Sequence, residues 1–212
     1  NSSILTTPTM ALPENPTVVS GEANFGYDGS ILTINASDRS IIEFSSYNIS
    51  SGESVMYSLP SSSASTLSRI TGGTTSLING ALNVNGTLFL VNPAGITFGS
   101  ASSVNVGGLV ASTLSLNNSD FIAGNYRFDG SMQGTLSSVV NEGTITAASD
   151  MGFVVLGGGA VKNTGTINVP FGKAALVSGE VVTVGISGDN QIAIAIDKPL
   201  AKKVLDAEGK TV

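Results

Sequence analysis

The hydrophobic positions of this chain fall into short runs bounded by Gly, Asn, Ser and Thr. Ile31-Leu32-Thr33-Ile34 and Ile41-Ile42-Glu43-Phe44 read as strands separated by the turn-like Asn35-Ala36-Ser37-Asp38. Ile192, Ile194 and Ile196 alternate with Ala193 and Ala195, the two-residue period of a strand with one side turned inward. A longer period overlies the short one. Val139-Val140-Asn141-Glu142-Gly143-Thr144-Ile145 returns 22 residues later as Val161-Lys162-Asn163-Thr164-Gly165-Thr166-Ile167. Behind each copy lies a Gly-apolar stretch, Gly152-Phe153-Val154-Val155-Leu156 and then Gly172-Lys173-Ala174-Ala175-Leu176, offset by 20. Val204-Leu205-Asp206 follows Val161-Lys162-Asn163 at two such intervals and is expected to open a further coil.

A period of roughly 20 residues holds three short strands and their corners at about 3.3 Å per residue. It is the signature of stacked coils that share one continuous core. The expected fold is therefore all-β, a right-handed parallel β-helix, with an N-terminal β cap and extra-helical strands. Asn141 and Asn163 are expected to stack as an amide ladder at one corner, with Gly143 and Gly165 in the turn beside them. Residues 1–60, with Pro8, Pro13 and Pro16 near the start, do not share the repeat. They are assigned to the cap and first strands, with residues 1–20 wrapping the surface and antiparallel pairing in the cap. Coils are assigned to 61–212, all within one domain. No closing element is apparent after Asp197-Lys198-Pro199-Leu200, so the chain reads as part of a longer solenoid.

Composition narrows the chemistry. Charged residues are 11% of the 212, about half the usual share; Ser, Thr, Asn and Gly solvate strands and turns in their place. The 26 glycines read as a supply of positive-φ turn positions. A net charge of −6 argues against a nucleic-acid partner, which needs a basic face. Cysteine and histidine are both absent, which removes thiolate nucleophiles, disulfides, zinc-thiolate sites and the commonest general base. No cofactor is implied. The opening Asn1-Ser2-Ser3 has neither a charged nor an apolar leader region and reads as a mature form.

The central stretch is the most specific. It runs Leu67-Ser68-Arg69-Ile70-Thr71-Gly72-Gly73, then Leu88-Phe89-Leu90-Val91-Asn92-Pro93-Ala94-Gly95-Ile96-Thr97-Phe98-Gly99, then Val104-Asn105-Val106-Gly107-Gly108-Leu109-Val110-Ala111-Ser112-Thr113. Phe44-Ser45-Ser46-Tyr47-Asn48-Ile49 lies upstream, and Asp120-Phe121-Ile122-Ala123-Gly124 and Tyr126-Arg127-Phe128 downstream. In this order the segments resemble the secretion domain of filamentous-haemagglutinin-like exoproteins, the two-partner secretion family. The resemblance covers roughly residues 20–212. One departure is plain: the family's Asn-Pro-Asn-Gly tetrad is Asn92-Pro93-Ala94-Gly95 here, and a second Asn-Pro-Asn-Leu tetrad found in some members is absent. Proline second and glycine fourth still suit a type I turn.

The resemblance implies an N-terminal domain that directs a large bacterial exoprotein to a cognate outer-membrane β-barrel with periplasmic POTRA modules. It implies export to the cell surface or medium, with the C-terminal remainder of the exoprotein following and host surface ligands engaged by the parent. Two readings stand for Asn92, Pro93, Ala94, Gly95 and Ile96: a turn between strands, or a transporter recognition element. Arg69 is either paired with a carboxylate such as Glu43 or Glu53, or a transporter contact. Two rival functions remain. An adhesive β-helix module would bind glycan or host protein, and a polysaccharide-acting enzyme would need acids on one face. Asp129 and Asp150 are spaced for neighbouring coils, but no catalytic residue is assigned. A calcium repeat is absent.

Overall fold

A computed structural model describes residues 11–188 and 191–212. The expected course of residues 1–10 over the surface lies outside the described residues. Six strands stack in parallel on one long face: Ser40–Phe44, Ser65–Ile70, Thr87–Val91, Gly108–Ser112, Phe153–Gly158 and Lys173–Ser178. A second long face stacks Ile31–Ala36, Ser54–Ser58, Ala81–Val84, Ser103–Asn105, Thr144–Thr146 and Thr166–Asn168. A shorter third face carries Ser76–Ile78, Ile96–Phe98, Ser138–Asn141 and Ala160–Asn163. The product is a β-solenoid. Each long-face strand sends alternate residues inward, and these inward residues merge into one core running the length of the coils, including Leu32, Val55, Leu82, Leu88, Leu109, Ile145 and Val154.

The N-terminal cap pairs antiparallel, as expected. Thr17–Ser20 lies against Ser40–Phe44, and Ala23–Asp28 against Ile31–Ala36. These two strands cover the open edges of the first coil, which would otherwise offer unpaired backbone groups to other chains. Parallel stacking begins at Ile31, ahead of the boundary at 61 that the sequence indicated. The early coils are longer and lack the Val-x-Asn-x-Gly-Thr-Ile pattern, so their period is hidden in the sequence.

The first long face is buried on both sides. Its outward column, Ile41, Leu67, Phe89, Val110 and Val155, stands in register through successive strand pairs and is at most 1% exposed. The cover is a flanking antiparallel sheet in the order Ser115–Leu116, Tyr126–Asp129, Val181–Ile186, Ile192–Lys198, together with the helix Asn118–Ala123. Burial on both faces explains the continuous apolar runs Leu88 to Val91 and Phe153 to Leu156, which ordinary alternation does not predict.

Two expectations are corrected here. Ile192, Ile194 and Ile196 do form a strand, but it lies in the flanking sheet rather than a coil, paired with Val181–Ile186. Val204 does not open a further coil: it makes a parallel bridge to Leu136, and the Leu205 amide donates to the Leu136 carbonyl at 2.8 Å. After Ser178 the chain has left the solenoid for the flanking hairpin, so a residue two periods on no longer meets the same face.

Candidate functional site

The Asn92-Pro93-Ala94-Gly95 segment turns the chain from the first long face to the third. The Asn92 carbonyl accepts the Gly95 amide at 3.1 Å, closing the turn. The Asn92 side chain is 1% exposed. Its amide donates to the Thr74 carbonyl at 3.0 Å and Ser76 Oγ at 2.9 Å, and its Oδ1 accepts the Ala94 amide at 3.0 Å. One side chain therefore shapes its own turn and ties it to the coil below. Gly95 has φ +126, a conformation glycine alone takes readily, and its carbonyl accepts the Ser76 amide at 3.0 Å. Ile96 follows directly into the core. Pro93 and Ala94 are half-buried.

Arg69 stands on the outward side of the same long face and pairs with Glu43 at 3.6 Å, one coil below. Burial lowers the guanidinium pKa and the Glu43 carboxylate opposes that shift. Its second contact was not legible in the sequence: Nη2 donates to the Leu116 carbonyl at 2.5 Å, pinning the first flanking strand. Glu53, the other partner considered, accepts the Ala11 and Ser50 amides instead, at 3.0 and 2.8 Å, and so anchors the cap.

Other motif residues sit at the junction between solenoid and flank. A Cβ on Gly108 would sit 2.5 Å from the Phe153 ring. Ser112 Oγ accepts the Leu114 amide at 2.9 Å, and Thr113 Oγ1 donates to the Ser137 carbonyl at 2.9 Å. These two residues hold the base of the insertion that departs after the fourth coil. Phe89, Phe121 and Tyr126 form an aromatic cluster, with Phe89 ring centroids 5.2 and 4.6 Å from the other two. Tyr47, Tyr57 and Ser68 form a buried hydroxyl chain in the early coils, at 2.9 and 2.8 Å; burial pushes the Tyr57 pKa up to about 12.

The amide ladder forms. Asn141 Nδ2 donates to Asn163 Oδ1 at 2.9 Å, and Asn141 is fully buried. Phe98 occupies the equivalent position one coil earlier, so the ladder has no rung there. Gly143 and Gly165 are adjacent to it, but for a different reason from the one expected. Neither has positive φ; a Cβ on Gly143 would collide with Ser102 and the Gly99 carbonyl, and one on Gly165 with the Gly143 carbonyl. Stacked backbones leave no room for a side chain.

Asp129 and Asp150 do not share a solenoid face. Asp129 belongs to the flanking sheet, opposite Ser115 and Val181, and Asp150 is exposed in the turn before Phe153. Asp129 Oδ1 accepts the Ser131 amide at 2.8 Å and Oδ2 pairs with Arg127 at 2.7 Å. Hydrogen bonds from Ser131, then the Arg127 charge, hold its pKa down to about 2. Among the described residues no three acidic side chains gather as a metal site.

The fold and the motif geometry define a β-solenoid with a flanking antiparallel sheet fastened to one face. The chain belongs to the TPS secretion domain family, whose model matches residues 6–210. It is similar to a heme/hemopexin-binding protein of Haemophilus influenzae, 34% identical over 205 residues, 93% of this chain and 22% of that protein. A second heme/hemopexin-binding protein of the same species is 33% identical over 92 residues, 43% of this chain and 10% of its own length. The crystal structure of the HMW1 secretion domain from Haemophilus influenzae matches with a TM-score of 0.83 and 33% identity, over 92% of this chain and 52% of that one. This chain thus spans about a fifth of its longer-matching curated relative. Domains of the family belong to exoproteins secreted across the outer membrane of Gram-negative bacteria and imply a cognate outer-membrane transporter.

Proposed function

We propose that this domain is the N-terminal export signal of a large exoprotein, recognised by the periplasmic POTRA modules of its cognate barrel. On this reading the domain then templates coil formation outside the cell. The observation that carries it is the family match over residues 6–210, together with the shared fold of the HMW1 secretion domain. A solenoid suits the task because each coil adds to the edge of the one before, so folding can advance as chain emerges.

The Asn92-Pro93-Ala94-Gly95 turn acts in this proposal through the fold. Its asparagine is buried and fully engaged, which leaves only Pro93 and Ala94 to meet a partner. Arg69 has the same character, since both its contacts are internal. Recognition is therefore assigned to surface outside these residues. The binding activity of the parent, including host surface ligands, is placed in the C-terminal remainder.

The test is export of the domain behind a signal peptide in a Gram-negative host, with and without its barrel. The expected result is accumulation in the medium only when the barrel is present. Release without the barrel, or periplasmic retention of folded domain beside a functional one, would refute the proposal.

A further inference from the structure

The flanking sheet is built from two stretches of chain far apart in sequence, and a returning segment runs on from the second. The insertion supplies Ser115–Leu116 and Tyr126–Asp129, the hairpin after the last coil supplies Val181–Ile186 and Ile192–Lys198, and residues 199–205 return alongside Leu136. The base of the insertion is fastened to the solenoid by Thr113 and Ser112. Its far end is not fastened that way. Residues 131–135 are exposed or half-exposed, with Met132 96% exposed, so apolar packing does not hold that loop.

The Lys202 side chain holds it, and the Glu180 side chain braces the segment from which Lys202 reaches. Glu180, the second residue past the last coil strand, is fully buried. Its Oε2 pairs with Lys198 Nζ at 2.8 Å and its Oε1 accepts the Ala201 amide at 2.9 Å. Its own amide donates to the Lys198 carbonyl at 3.0 Å and its carbonyl accepts the Gly130 amide at 2.8 Å. Lys202 completes the set: its ammonium donates to the carbonyls of Gly130, Ser131 and Gln133 at 3.3, 2.7 and 2.5 Å. Hairpin, insertion and returning segment all meet at this pair. A buried carboxylate stripped of its cation is strongly unfavourable, and Lys202 supplies the one donor that the three loop carbonyls share. Closure therefore depends on all three segments arriving together.

We infer that Glu180 and Lys202 form a latch that closes the flanking sheet over the solenoid, and that without it the flanking strands come apart from one another together while the coils stay folded. The solenoid has an interior core of its own, and the flank packs on its outward column through a second cluster that both layers share, so the coils keep their interior when the flank opens. Opening bares the Ile41, Leu67, Phe89, Val110 and Val155 column. Because the hairpin of residues 181–198 follows Lys173–Ser178 in the chain, the column is covered only in part, by the insertion, until that hairpin is in place. The inference concerns the folded domain and does not rest on the proposed export role.

Hydrogen exchange by mass spectrometry on the whole domain tests it, comparing wild type with Glu180→Ala and Lys202→Met. In both variants amides of 126–129 and 181–186 are expected to exchange at least ten times faster, with those of 88–91 and 154–156 unchanged. A crosslink supplies the control. Arg127 and Thr183 are directly opposed in adjacent antiparallel strands, and the chain contains no cysteine of its own. Oxidised Arg127→Cys/Thr183→Cys placed in the Glu180→Ala background should restore flank protection. Equal acceleration in both layers, acceleration in neither, failure of either variant to fold, or flank exchange that the crosslink leaves fast would each overturn the latch.

Discussion

Asn92 shows how a motif residue can be diagnostic without being exposed. Replacing it with Ala removes its two amide donations and the acceptor for the Ala94 amide. Leaving buried partners unpaired costs about 1–3 kcal/mol each in the worst case, so Asn92→Ala is expected to lose about 2–4 kcal/mol in urea denaturation. Export should fall in step with folding and recover where a second-site change restores stability. Gly143 and Gly165 make the same point through space. Gly143→Ala should destabilise by about 2 kcal/mol or more, since overpacking that moves backbone falls at the upper end of such effects. Gly26→Ala, where nothing lies within reach of a Cβ, should be neutral or slightly stabilising in the same assay. Two ionisable groups give pH tests. The Tyr57 pKa is raised to about 12, so its contribution is complete below about pH 10 and is lost as pH rises through 12. Phenolate absorbance should report its ionisation together with alkaline unfolding. The Asp129 pKa is lowered to about 2, so its contribution is present above about pH 4 and is lost as pH falls through 2. An NMR titration of its carboxyl carbon should find that midpoint, and a midpoint near 4 would remove the hydrogen bonds to Ser131 from the account.

The elements obey two different rules. Strands tolerate no change of register, because one residue slipped turns every inward side chain outward. Turns tolerate length, as the unequal 22- and 20-residue offsets of one coil step on two different faces already show. A residue inserted between Thr144 and Ile145 is expected to abolish the folded state, whereas one inserted between Ser149 and Asp150 should keep the melting temperature within a few degrees; circular dichroism on the pair decides it. The long Val110-to-Val155 step, where adjacent coils need 20–26 residues, accommodates the whole insertion with helix and flanking strands. Phe89 sits where these layers meet. Its truncation to Ala is expected to cost about 3–5 kcal/mol and to loosen the flank before the coils, which tryptic cleavage after Arg127 would detect.

At the scale of the whole molecule, the solenoid is a stack with two unlike ends and one covered side. Removing residues 11–28 uncovers the edges of two long faces at once, and such edges pair with other chains. The truncated domain should elute as oligomers under light scattering while the intact one stays monodisperse. Much of this architecture follows from local sequence. The coil period, the amide ladder at Asn141 and Asn163, the Asn92 turn and the partnership of Arg69 with Glu43 all depend on residues at fixed offsets, and a regular stack converts offset directly into contact. The covered side does not depend on offset. That Ile192, Ile194 and Ile196 face Val181–Ile186 rather than a coil, that Val204 meets Leu136, and that Arg69 reaches Leu116 all come from chain that has left the stack. Its strands carry the same two-residue alternation as coil strands, so periodicity cannot say which core they serve. Glu180 is the extreme case: one acid among fifteen in the sequence, it becomes the junction of three segments only when the fold brings Gly130, Lys198 and Ala201 to it. Sequence determined what repeats along the axis. Tertiary structure decided what lies across it, because contacts between segments of unrelated spacing have no period to read.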